Sequence, residues 1–447
     1  MLPQSKMLSM LQTTAIAIAT LFLANAAPAA PPQPDQKIES PAINALREKL
    51  AQDPHALDSF WQQIEKSGSP LIETIAASNE SLVTFLWRGD ASTKNVVVIS
   101  PLALVNLQDA KMTQLPATNL WYLTYRMRND ARMAYRFSPN DSLVPFEAET
   151  NFFARMSNFQ RDPFNPKTFD YGGNMKASVL ELPGAPSDQS IHARPEIPHG
   201  TLKESKFASA ILKNDRSLWL YTPPAYDPAR SYSLLVLMDG DSYTTLVPTP
   251  VILDNLIHDG KIPPVVALFI GNASPQARDS ELNCAPAWSD FLTKEAIPWI
   301  ESAQHVRTEP SGVLIAGSSM GGLAAACAAV DHPEVFSKVL AQSGSFYRAP
   351  AGEEPESLAR RLAQSTPLPL AFYLEIGLLE TSAIPNRDPS MLTASRHLRD
   401  VLIARGYHIE FHDRYSGHEH VAWRATLCGG LVALLASPPT TRRKVQF

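Results

Sequence analysis

The stretch VLIAGSSMGGLAAACAAV, residues 313–330, restricts the fold of this chain more than any other part of it. A short apolar segment ends in very small residues, and an alanine-rich segment of helical character follows at once. A buried strand that turns sharply into a helix has this order, because only small side chains fit into so tight a turn. The stretch therefore predicts a strand–turn–helix unit of an α/β protein.

The region after residue 199 repeats this alternation of strands and helices. Its strand-like segments are nearly continuous apolar runs, which are typical of strands buried on both faces of a parallel sheet. Helical patterns separate them, so we predict an α/β domain over residues 199–447, with a mostly parallel sheet and helices on both faces. The strand-like segments are SLWLYTPPAY, SLLVLMDG, PVVALFIG, VLIAG, LAFYLEIG and HIEFHDRY.

The first half of the chain has a different pattern. Apolar residues at helical spacing over residues 38–77 are followed, from Leu82, by short strand-like segments that turn residues separate. Such segments are typical of a small antiparallel sandwich. We predict a helical segment plus an immunoglobulin-like β-sandwich domain over residues 37–182, and a proline-rich linker over residues 183–198. The strand-like segments are SLVTFLWRG, NVVVISPL, NLWYLTYRM and MAYRFSP.

The N-terminus has the features of an export signal. Lys6 precedes a short apolar core, Ala15–Ala24, which is too short to span a bilayer, and Ala24-Asn25-Ala26 offers a cleavage site. No cysteine lies nearby to carry a lipid anchor. We predict a signal peptide over residues 1–26 and a periplasmic protein without a membrane anchor after processing; an uncleaved N-terminal anchor is the alternative.

Composition narrows the classes of function. Lys plus Arg number 39 and Asp plus Glu 44, a net charge of −5 without a basic block, so nucleic acid is not expected as a partner. The cysteines are Cys284, Cys327 and Cys428, which would allow one disulfide in an exported protein. No pair is predicted, and Cys327, inside the alanine-rich helix, is interpreted as a small buried hydrophobic residue.

Gly317-Ser318-Ser319-Met320-Gly321 matches the G-x-S-x-G motif of the α/β-hydrolase fold, in the strand–turn–helix context that gives the motif meaning. The strained turn lifts the serine hydroxyl above the carboxyl edge of the sheet. It also aims the next backbone N–H at the place where an oxyanion would form. We therefore predict Ser319 as the nucleophile and Met320 as one oxyanion-hole donor.

A serine nucleophile needs a base, which in this fold follows the last strand. HIEFHDRY is the candidate strand, and it leads into Ser416-Gly417-His418-Glu419-His420. We predict His418 as the base, with His420 as the alternative. His408 and His412 share one face of the strand at a spacing that metal ligands use, but no carboxylate or cysteine cluster joins them convincingly. No metal site and no cofactor are predicted.

The third member of the triad should follow the preceding strand, where a carboxylate would fix the imidazole tautomer. LAFYLEIGLLET places Glu375 within that strand and Glu380 just past it. We predict Glu380 as the acid and Glu375 as structural, with Asp388 as an alternative. The chain order of serine, acid and histidine agrees with the fold.

The second oxyanion-hole donor should come from the turn after an early strand. MDGDSY, residues 238–243, is that turn. A backbone N–H at Asp241 or Ser242 would serve, and Asp239 is interpreted as a structural turn residue.

These motifs resemble the enterochelin (enterobactin) esterases, in the esterase-D branch of the α/β-hydrolases. The resemblance covers most of the mature chain. The paired domains make it specific, because other esterase-D enzymes share only the serine and histidine motifs. In the second half it rests on LLVLMDGDSY, ARDSELNCAPAWSDFLTKEAIPWI, AGSSMGGLAAACAAVDHPEVFSKVLAQSGSFYR and SGHEHVAWR. In the first half it rests on VTFLWRG, MTQLPATNLWYLTYRM, YRFSPND, DPFNP and SVLELPGAP.

The resemblance implies a serine esterase that hydrolyses a catecholate trilactone siderophore, often loaded with iron that belongs to the substrate. It implies Ser319 as the nucleophile and His418 as the base. It also places Arg278 in the substrate pocket. A guanidinium there suits an anionic aromatic ligand; an ion pair with Glu281 is the alternative for this residue. Trp423 and Arg424 would wall the pocket, and Trp423 could equally be a core residue.

The chain departs from the resemblance at three points. Many relatives are cytoplasmic, whereas an export signal is predicted for this chain, which would move the reaction to the periplasm. Ser416-Gly417 replaces the usual glycine pair before the histidine. The acid of the triad varies among the enterochelin esterases, and some members look like Ser–His dyads. The resemblance therefore leaves the role of Glu380 open.

Two other functions also stay open. One is a feruloyl or acetyl esterase that acts on plant polysaccharide, with the sandwich as a carbohydrate-binding module. The other is a non-catalytic siderophore-binding protein that has kept the fold.

Overall fold

A computed structural model describes residues 39–436, apart from positions 174, 188, 305, 308 and 382–388. All of these described residues fall within one compact unit. The predicted signal peptide over residues 1–26 lies outside the described residues.

The first half of the chain forms two antiparallel sheets of four strands each, flanked by short helices. The helices are α1 (Pro41–Leu50), α2 (Ala56–Ser67), α3 (Pro101–Val105) and α4 (Phe152–Ser157), with 3-10 turns at Gln108–Ala110 and Phe146–Ala148. The strands are β1 (Leu71–Thr74), β2 (Glu80–Arg88), β3 (Val96–Ile99), β4 (Thr113–Gln114), β5 (Leu120–Arg128), β6 (Arg132–Pro139), β7 (Thr168–Asp170) and β8 (Lys176–Glu181).

The two sheets pack face to face, with the strand orders β1-β2-β5-β4 and β3-β6-β8-β7. Phe85 of the first sheet meets Tyr135 of the second edge to face, with ring centroids 4.8 Å apart. Tyr125, Met133 and Phe137 are fully buried in the same core. The alternating apolar residues of these strands thus fill one shared interior, and the predicted sandwich is confirmed. The boundaries at residues 182 and 199 stay predictions.

The helices α1 and α2 cover the outer face of the first sheet. Ser40 caps α1 by accepting a hydrogen bond from the N–H of Ile43, and Pro41 occupies the first turn, where no N–H is needed. Trp61 of α2 packs in one cluster with Leu86 of β2. The helical spacing seen in the sequence therefore produces an apolar face that the sheet buries.

The second half of the chain contains the larger sheet and most of the helices. The strands are β9 (Thr201–Ser209), β10 (Asn214–Thr222), β11 (Tyr232–Met238), β12 (Val265–Ile270), β13 (Val306–Arg307), β14 (Val313–Ser318), β15 (Lys338–Gln342), β16 (Ala371–Gly377) and β17 (His408–Arg414). The α-helices are α5 (Gly240–Thr244), α6 (Thr249–His258), α7 (Pro275–Glu281), α8 (Pro286–Phe291), α9 (Ile297–Ala303), α10 (Met320–Asp331), α11 (Ser357–Gln364), α12 (Met391–Ala404) and α13 (His420–Leu435). A π-helical turn at Leu292–Ala296 and 3-10 turns at Gln189–Ile191 and Pro310–Gly312 complete the set.

The strand order of the large sheet is β9-β10-β12-β11-β14-β15-β16-β17, and the short β13 also pairs with β11. The strands from β11 onward run parallel, and the β9–β10 hairpin extends the sheet antiparallel. Successive residues of β11 point to opposite faces. Leu234 and Val236 join a core with α10 and α12, while Leu235 and Leu237 join another with α6 and α13. The mostly parallel sheet with helices on both faces is confirmed.

The interior of the sandwich continues into the second half. Leu378 and Leu379, just after β16, and Tyr415, just after β17, belong to the same apolar cluster as Met133. The N–H of Arg132 also donates to the carbonyl of Tyr415 at 3.2 Å. The loops that hold the predicted acid and base therefore rest directly on the sandwich.

Cys284 and Cys327 form a disulfide, with Cα atoms 5.4 Å apart, and Cys428 is free. Cys327 is buried as expected, but interpreting it simply as a small hydrophobic residue was wrong, since its sulfur is bonded. The bond joins the segment between α7 and α8 to the middle of α10.

In the part of the chain that the structure describes, no helix combines the length and apolar character that a membrane crossing needs.

Candidate active site

The turn between β14 and α10 holds Ser319 in a strained backbone conformation, with φ 56° and ψ −125°. A Cβ at Gly317 would lie 2.5 Å from the backbone carbonyl carbon of Gly321. A Cβ at Gly321 would lie 2.8 Å from Oδ2 of Asp239. These approaches are too close for any residue but glycine, so the small residues of the motif are what allow the turn to form.

Three predicted side chains meet above this turn. His418 Nε2 lies 2.9 Å from Ser319 Oγ, and His418 Nδ1 lies 2.8 Å from Glu380 Oε2. An ionised carboxylate only accepts hydrogen bonds, so Nδ1 carries the imidazole proton and Nε2 accepts from the serine hydroxyl. The side chain of Glu380 is 2% exposed and that of His418 is 36% exposed. The carboxylate is thus buried behind the imidazole of the predicted base, which faces solvent.

The carboxylate of Glu380 is held by two further donors. Its Oε1 accepts from Ser343 Oγ at 2.6 Å and from the N–H of Gly377 at 2.9 Å. Trp423 Nε1 donates to the same Ser343 Oγ at 3.0 Å, and its ring meets the His418 ring edge to face at 4.9 Å. The acid and the imidazole are therefore both fixed by a buried hydrogen-bond network.

The other candidate acids lie elsewhere. Glu375 is fully buried and shares hydrogen bonds with Gln342 and Thr426 rather than with a histidine. Burial raises the pKa of its carboxyl, which favours the neutral form. Asp388 lies outside the described residues.

The other histidines occupy separate places. His420, the alternative base, is the first residue of α13 and packs its ring against Trp423 at 5.0 Å. Burial lowers its pKa to about 4, so it stays neutral. His412 Nε2 lies 2.7 Å from Glu410 Oε1. Within the described residues no group of three or more His, Cys, Asp or Glu side chains comes together as a metal site would require.

The two predicted oxyanion donors lie at the ends of neighbouring parallel strands. Met320 begins α10, where a backbone N–H has no partner within the helix. Asp241 lies in the short helix α5 that follows β11. The N–H of Ser242 donates to the carbonyl of Asp239 at 2.9 Å, which favours Asp241 over Ser242 as the second donor. The roles of both donors stay predictions.

A pocket of about 470 Å³ opens over the triad, within the range of about 300–1,000 Å³ typical of small-molecule sites. Both halves of the chain line it. Pro101 and Leu104 come from α3 of the sandwich half, and Arg278 and Arg348 come from the second half. The remaining lining residues are Asp279, Ser319, Met320, Ser345, Tyr347, Leu379, Glu380, Ser390, Met391, Gly417 and His418.

Arg278 lies in the pocket wall, but the ion pair with Glu281 suggested as its alternative was wrong. Its Nε and Nη2 donate to Oδ1 and Oδ2 of Asp239 at 2.6 and 2.8 Å. Glu281 instead pairs with Arg216 at 3.0 Å. Asp239 adopts a left-handed conformation with φ 54°, so it shapes the turn and also anchors the pocket arginine.

The prediction that Trp423 and Arg424 line the pocket was wrong, and the alternative of a core position for Trp423 is confirmed. Trp423 is 5% exposed and belongs to the core on the α6 and α13 face of the sheet. The guanidinium of Arg424 lies over the ring of Phe169 in β7, at 4.7 Å from its centroid. Both residues lie near the start of α13, which packs between the sheet and the sandwich rather than along the pocket.

Sequence reasoning missed several pocket residues. Arg348 donates to Asp279 Oδ1 at 2.9 Å and to Asn283 Oδ1 at 3.2 Å. Its place shortly after the carboxyl end of β15 was an available signal, since sites of this fold gather there. Pro101 and Leu104 carried no such signal, because only the packing of the two halves brings them to the site.

Glu419, beside the predicted base, is buried against the sandwich. Its Oε2 accepts a hydrogen bond from the N–H of Ala134 in β6 at 3.0 Å, while its Oε1 is buried without a partner among the described residues. Burial raises the pKa of this carboxyl to about 8. The side chain therefore holds its proton at neutral pH.

Two family models match the chain. The one described as putative esterase matches residues 209–434, and the one described as enterochelin esterase, N-terminal, matches residues 82–191. The first range spans most of the large sheet with its helices, and the second spans most of the sandwich.

Curated relatives match across both halves. The iron(III) enterobactin esterase of Dickeya dadantii is 25% identical over 417 residues, which cover 85% of this chain and 93% of the relative. The protein of the same name from Escherichia coli K12 is 26% identical over 372 residues, covering 79% and 90%.

Solved structures of enterobactin esterases also match most of the chain. The ferric enterobactin esterase from Salmonella typhimurium superposes with a TM-score of 0.70 at 25% identity, covering 84% of this chain and 98% of the other. The enterobactin esterase from Shigella flexneri, solved in the presence of enterobactin, superposes with a TM-score of 0.66 at 27% identity, covering 84% and 97%.

Proposed function

The chain belongs to the putative esterase family and carries the N-terminal domain of enterochelin esterases, and on that premise we propose that it hydrolyses the trilactone esters of a catecholate siderophore such as ferric enterobactin. One observation carries the proposal. Ser319, His418 and Glu380 form a continuous hydrogen-bonded series in a pocket, in a chain that matches enterobactin esterases over most of its length.

The geometry supports acyl transfer through the serine. His418 Nε2 takes the proton of Ser319 Oγ as the oxygen attacks a lactone carbonyl, and buried Glu380 stabilises the imidazolium that forms. The N–H groups of Met320 and Asp241 would hold the oxyanion. His418 then returns the proton to the departing seryl alkoxide, and water, activated by the same imidazole, releases the acyl group.

The pocket suits an anionic aromatic substrate. Arg278 and Arg348 both line it, and each is held in place by a carboxylate partner, Asp239 and Asp279 respectively. The side chain of Asp279 is 65% exposed, so water screens its charge and leaves Arg348 available to a ligand. A ferric tris-catecholate offers anionic oxygens and aromatic faces that guanidinium groups can bind.

The iron belongs to the substrate in this proposal. The closed trilactone preorganises its catechol groups around the ion, and cutting an ester removes that preorganisation. Hydrolysis would therefore weaken the affinity of the siderophore for iron and aid the release of the iron.

The same proposal places the reaction in the periplasm. The support is the leader-like pattern over residues 1–26 together with the Cys284–Cys327 disulfide, because disulfides persist in oxidising compartments. Fractionation of cells that make the full chain tests this, and a protein that stays in the cytosol with an uncleaved N-terminus would contradict it.

The decisive experiment is product analysis by mass spectrometry of ferric and iron-free enterobactin, incubated with wild type and with Ser319→Ala. We expect linear trimer, dimer or monomer from wild type, and at least about 10⁴-fold slower release from the variant. If wild type cleaves neither form, the siderophore assignment fails, and activity on a feruloylated sugar would then favour a carbohydrate esterase. Tight binding of the siderophore without product would favour a binding protein.

A further inference from the structure

A second cavity adjoins the active-site pocket on the side of the sandwich. Its volume is about 200 Å³, and its lining includes Arg136, Tyr171 and Glu419. Three residues, Pro101, Leu104 and His418, line both spaces. A ligand group could therefore enter this cavity while an ester attached to it lies at the nucleophile.

The size of the cavity suits one aromatic ring. A protein cavity of about 150 Å³ accepts benzene, so about 200 Å³ leaves room for a ring with two hydroxyl groups. The cavity is too small for a whole ferric complex, in which three catechol groups surround one ion.

The cavity also has the chemistry for a catechol. The guanidinium of Arg136 lies over the ring of Phe159 at 5.1 Å and makes no ion pair with any residue that the structure describes. Burial lowers its pKa, which records that the charge is partly removed from water. Tyr171 is partly buried, and its ring provides an aromatic surface beside that cation.

Glu419 does not neutralise this arginine. Its carboxyl is buried and carries a proton at neutral pH, since burial raises its pKa to about 8. The site therefore offers an uncompensated cation and a neutral acid. The guanidinium can donate charge-assisted hydrogen bonds to phenolic or amide oxygens of a ligand.

We propose that this cavity is a second aryl subsite: it binds a neighbouring 2,3-dihydroxybenzoyl arm of the iron-free trilactone, or of its linear products, while the ester of the first arm lies at Ser319. The inference rests on the proposed function and deepens it. A substrate with at least two arms fills both spaces, whereas a substrate with one arm fills only the pocket. Arg136 is then a specificity-determining residue supplied by the N-terminal sandwich.

The test compares two substrates in the full-length protein. One is iron-free enterobactin, and the other is the methyl ester of N-(2,3-dihydroxybenzoyl)serine, which carries one arm and one ester. For Arg136→Met we expect kcat/KM to fall about tenfold on the trilactone, mainly through KM, as for the loss of one charge-assisted hydrogen bond. The loss on the one-armed ester should be within about twofold, because that substrate does not reach the guanidinium.

Two further variants serve as controls. Arg126→Met removes an exposed arginine from β5, where it pairs with Glu80, and should change neither substrate. Arg136→Lys keeps the charge without the planar fork and should show a smaller loss on the trilactone. Its Tm, measured beside that of Arg136→Met, separates lost binding from lost folding.

The outcomes separate the inference from the proposed function. Equal losses on both substrates, or no loss on the trilactone, in folded Arg136 variants would overturn the subsite while leaving the esterase intact. A wild type that cleaves neither catechol ester would overturn the proposed function itself.

Discussion

The backbone N–H of Ala134, in the sandwich, donates a hydrogen bond to Oε2 of Glu419, the residue next to the proposed base, at 3.0 Å. This contact joins a strand of one half of the chain to the loop of the other half that holds the predicted base. The sandwich therefore supports the loop that holds the predicted base, and its residues Pro101 and Leu104 line the pocket.

Glu419 should make stability depend on pH. Its pKa in the folded chain is about 8, against an ordinary value of 4.5, so between these values the folded chain keeps a proton that the unfolded chain has lost. Unfolding then releases a proton, and rising pH favours unfolding. We expect the Tm of wild type to fall between pH 5.5 and about 8.5, and that of Glu419→Gln to fall less over the same range.

The control for this prediction is Glu301→Gln, at an exposed glutamate of α9, which should follow wild type. Parallel Tm curves for wild type and Glu419→Gln would show that the Glu419 carboxyl is not protonated in the folded chain.

The acid of the triad should be essential to turnover. Glu380→Gln keeps the size of the side chain, but its amide can stabilise the wrong imidazole tautomer and cannot stabilise the imidazolium. We expect kcat to fall about 10³- to 10⁴-fold. A loss below tenfold, measured on the trilactone, would instead indicate a Ser–His dyad.

Ser343 should act on turnover without touching the substrate. Its hydroxyl donates to Glu380 and accepts from Trp423, so Ser343→Ala leaves the carboxylate with one donor fewer and the indole N–H without its acceptor. We expect kcat to fall about tenfold with KM unchanged. Ser302→Ala, at an exposed serine of α9, is the control, and a rise in KM alone would argue against a positioning role.

Arg348 should recognise charge on the substrate. Its removal in Arg348→Met should raise KM for the ferric complex about tenfold or more and affect the iron-free form less, since the ferric complex is the more anionic. Added salt should raise KM for the ferric form in the same direction. Arg360→Met, at an exposed arginine of α11, removes equal charge; an equal rise in KM there would assign the effect to net charge.

The disulfide should contribute substantially to stability. Cys284 and Cys327 are 43 residues apart in the chain, and closing a loop of that length constrains the unfolded state by about 4 kcal/mol. Reduction should therefore lower the free energy of unfolding by an amount of that order, measured in urea with and without dithiothreitol. Identical curves for a fully reduced and an untreated sample would rule out a structural contribution.

Local patterns were enough to predict the sheet and the nucleophile. Buried apolar runs with helices between them leave few arrangements other than a covered parallel sheet, and the crowding of Gly317 and Gly321 is a property of one short turn. The predicted acid and base lie together in the structure because both follow the carboxyl ends of strands that the sequence marks clearly.

The residues that were missed or misplaced depend on contacts between distant segments. Trp423 was predicted to line the pocket because it follows the predicted base closely, with the core as the alternative, and the first turn of α13 directs it into the core. Arg278 pairs with Asp239, which is distant in sequence, rather than with Glu281, which lies one helical turn away. Leu104 and Arg136 reach the site only because the two halves pack together. Local periodicity in the sequence does not predict that packing.

The Cys284–Cys327 bond has a consequence for when the enzyme matures. Cys284 lies just after α7, which carries Arg278, and Cys327 lies on α10, which begins directly after the predicted nucleophile Ser319. For a chain that crosses a membrane before it meets oxidising conditions, this crosslink forms only after translocation. If the chain is exported as proposed, the segment after Arg278 and the helix after Ser319 would therefore become crosslinked only at its destination.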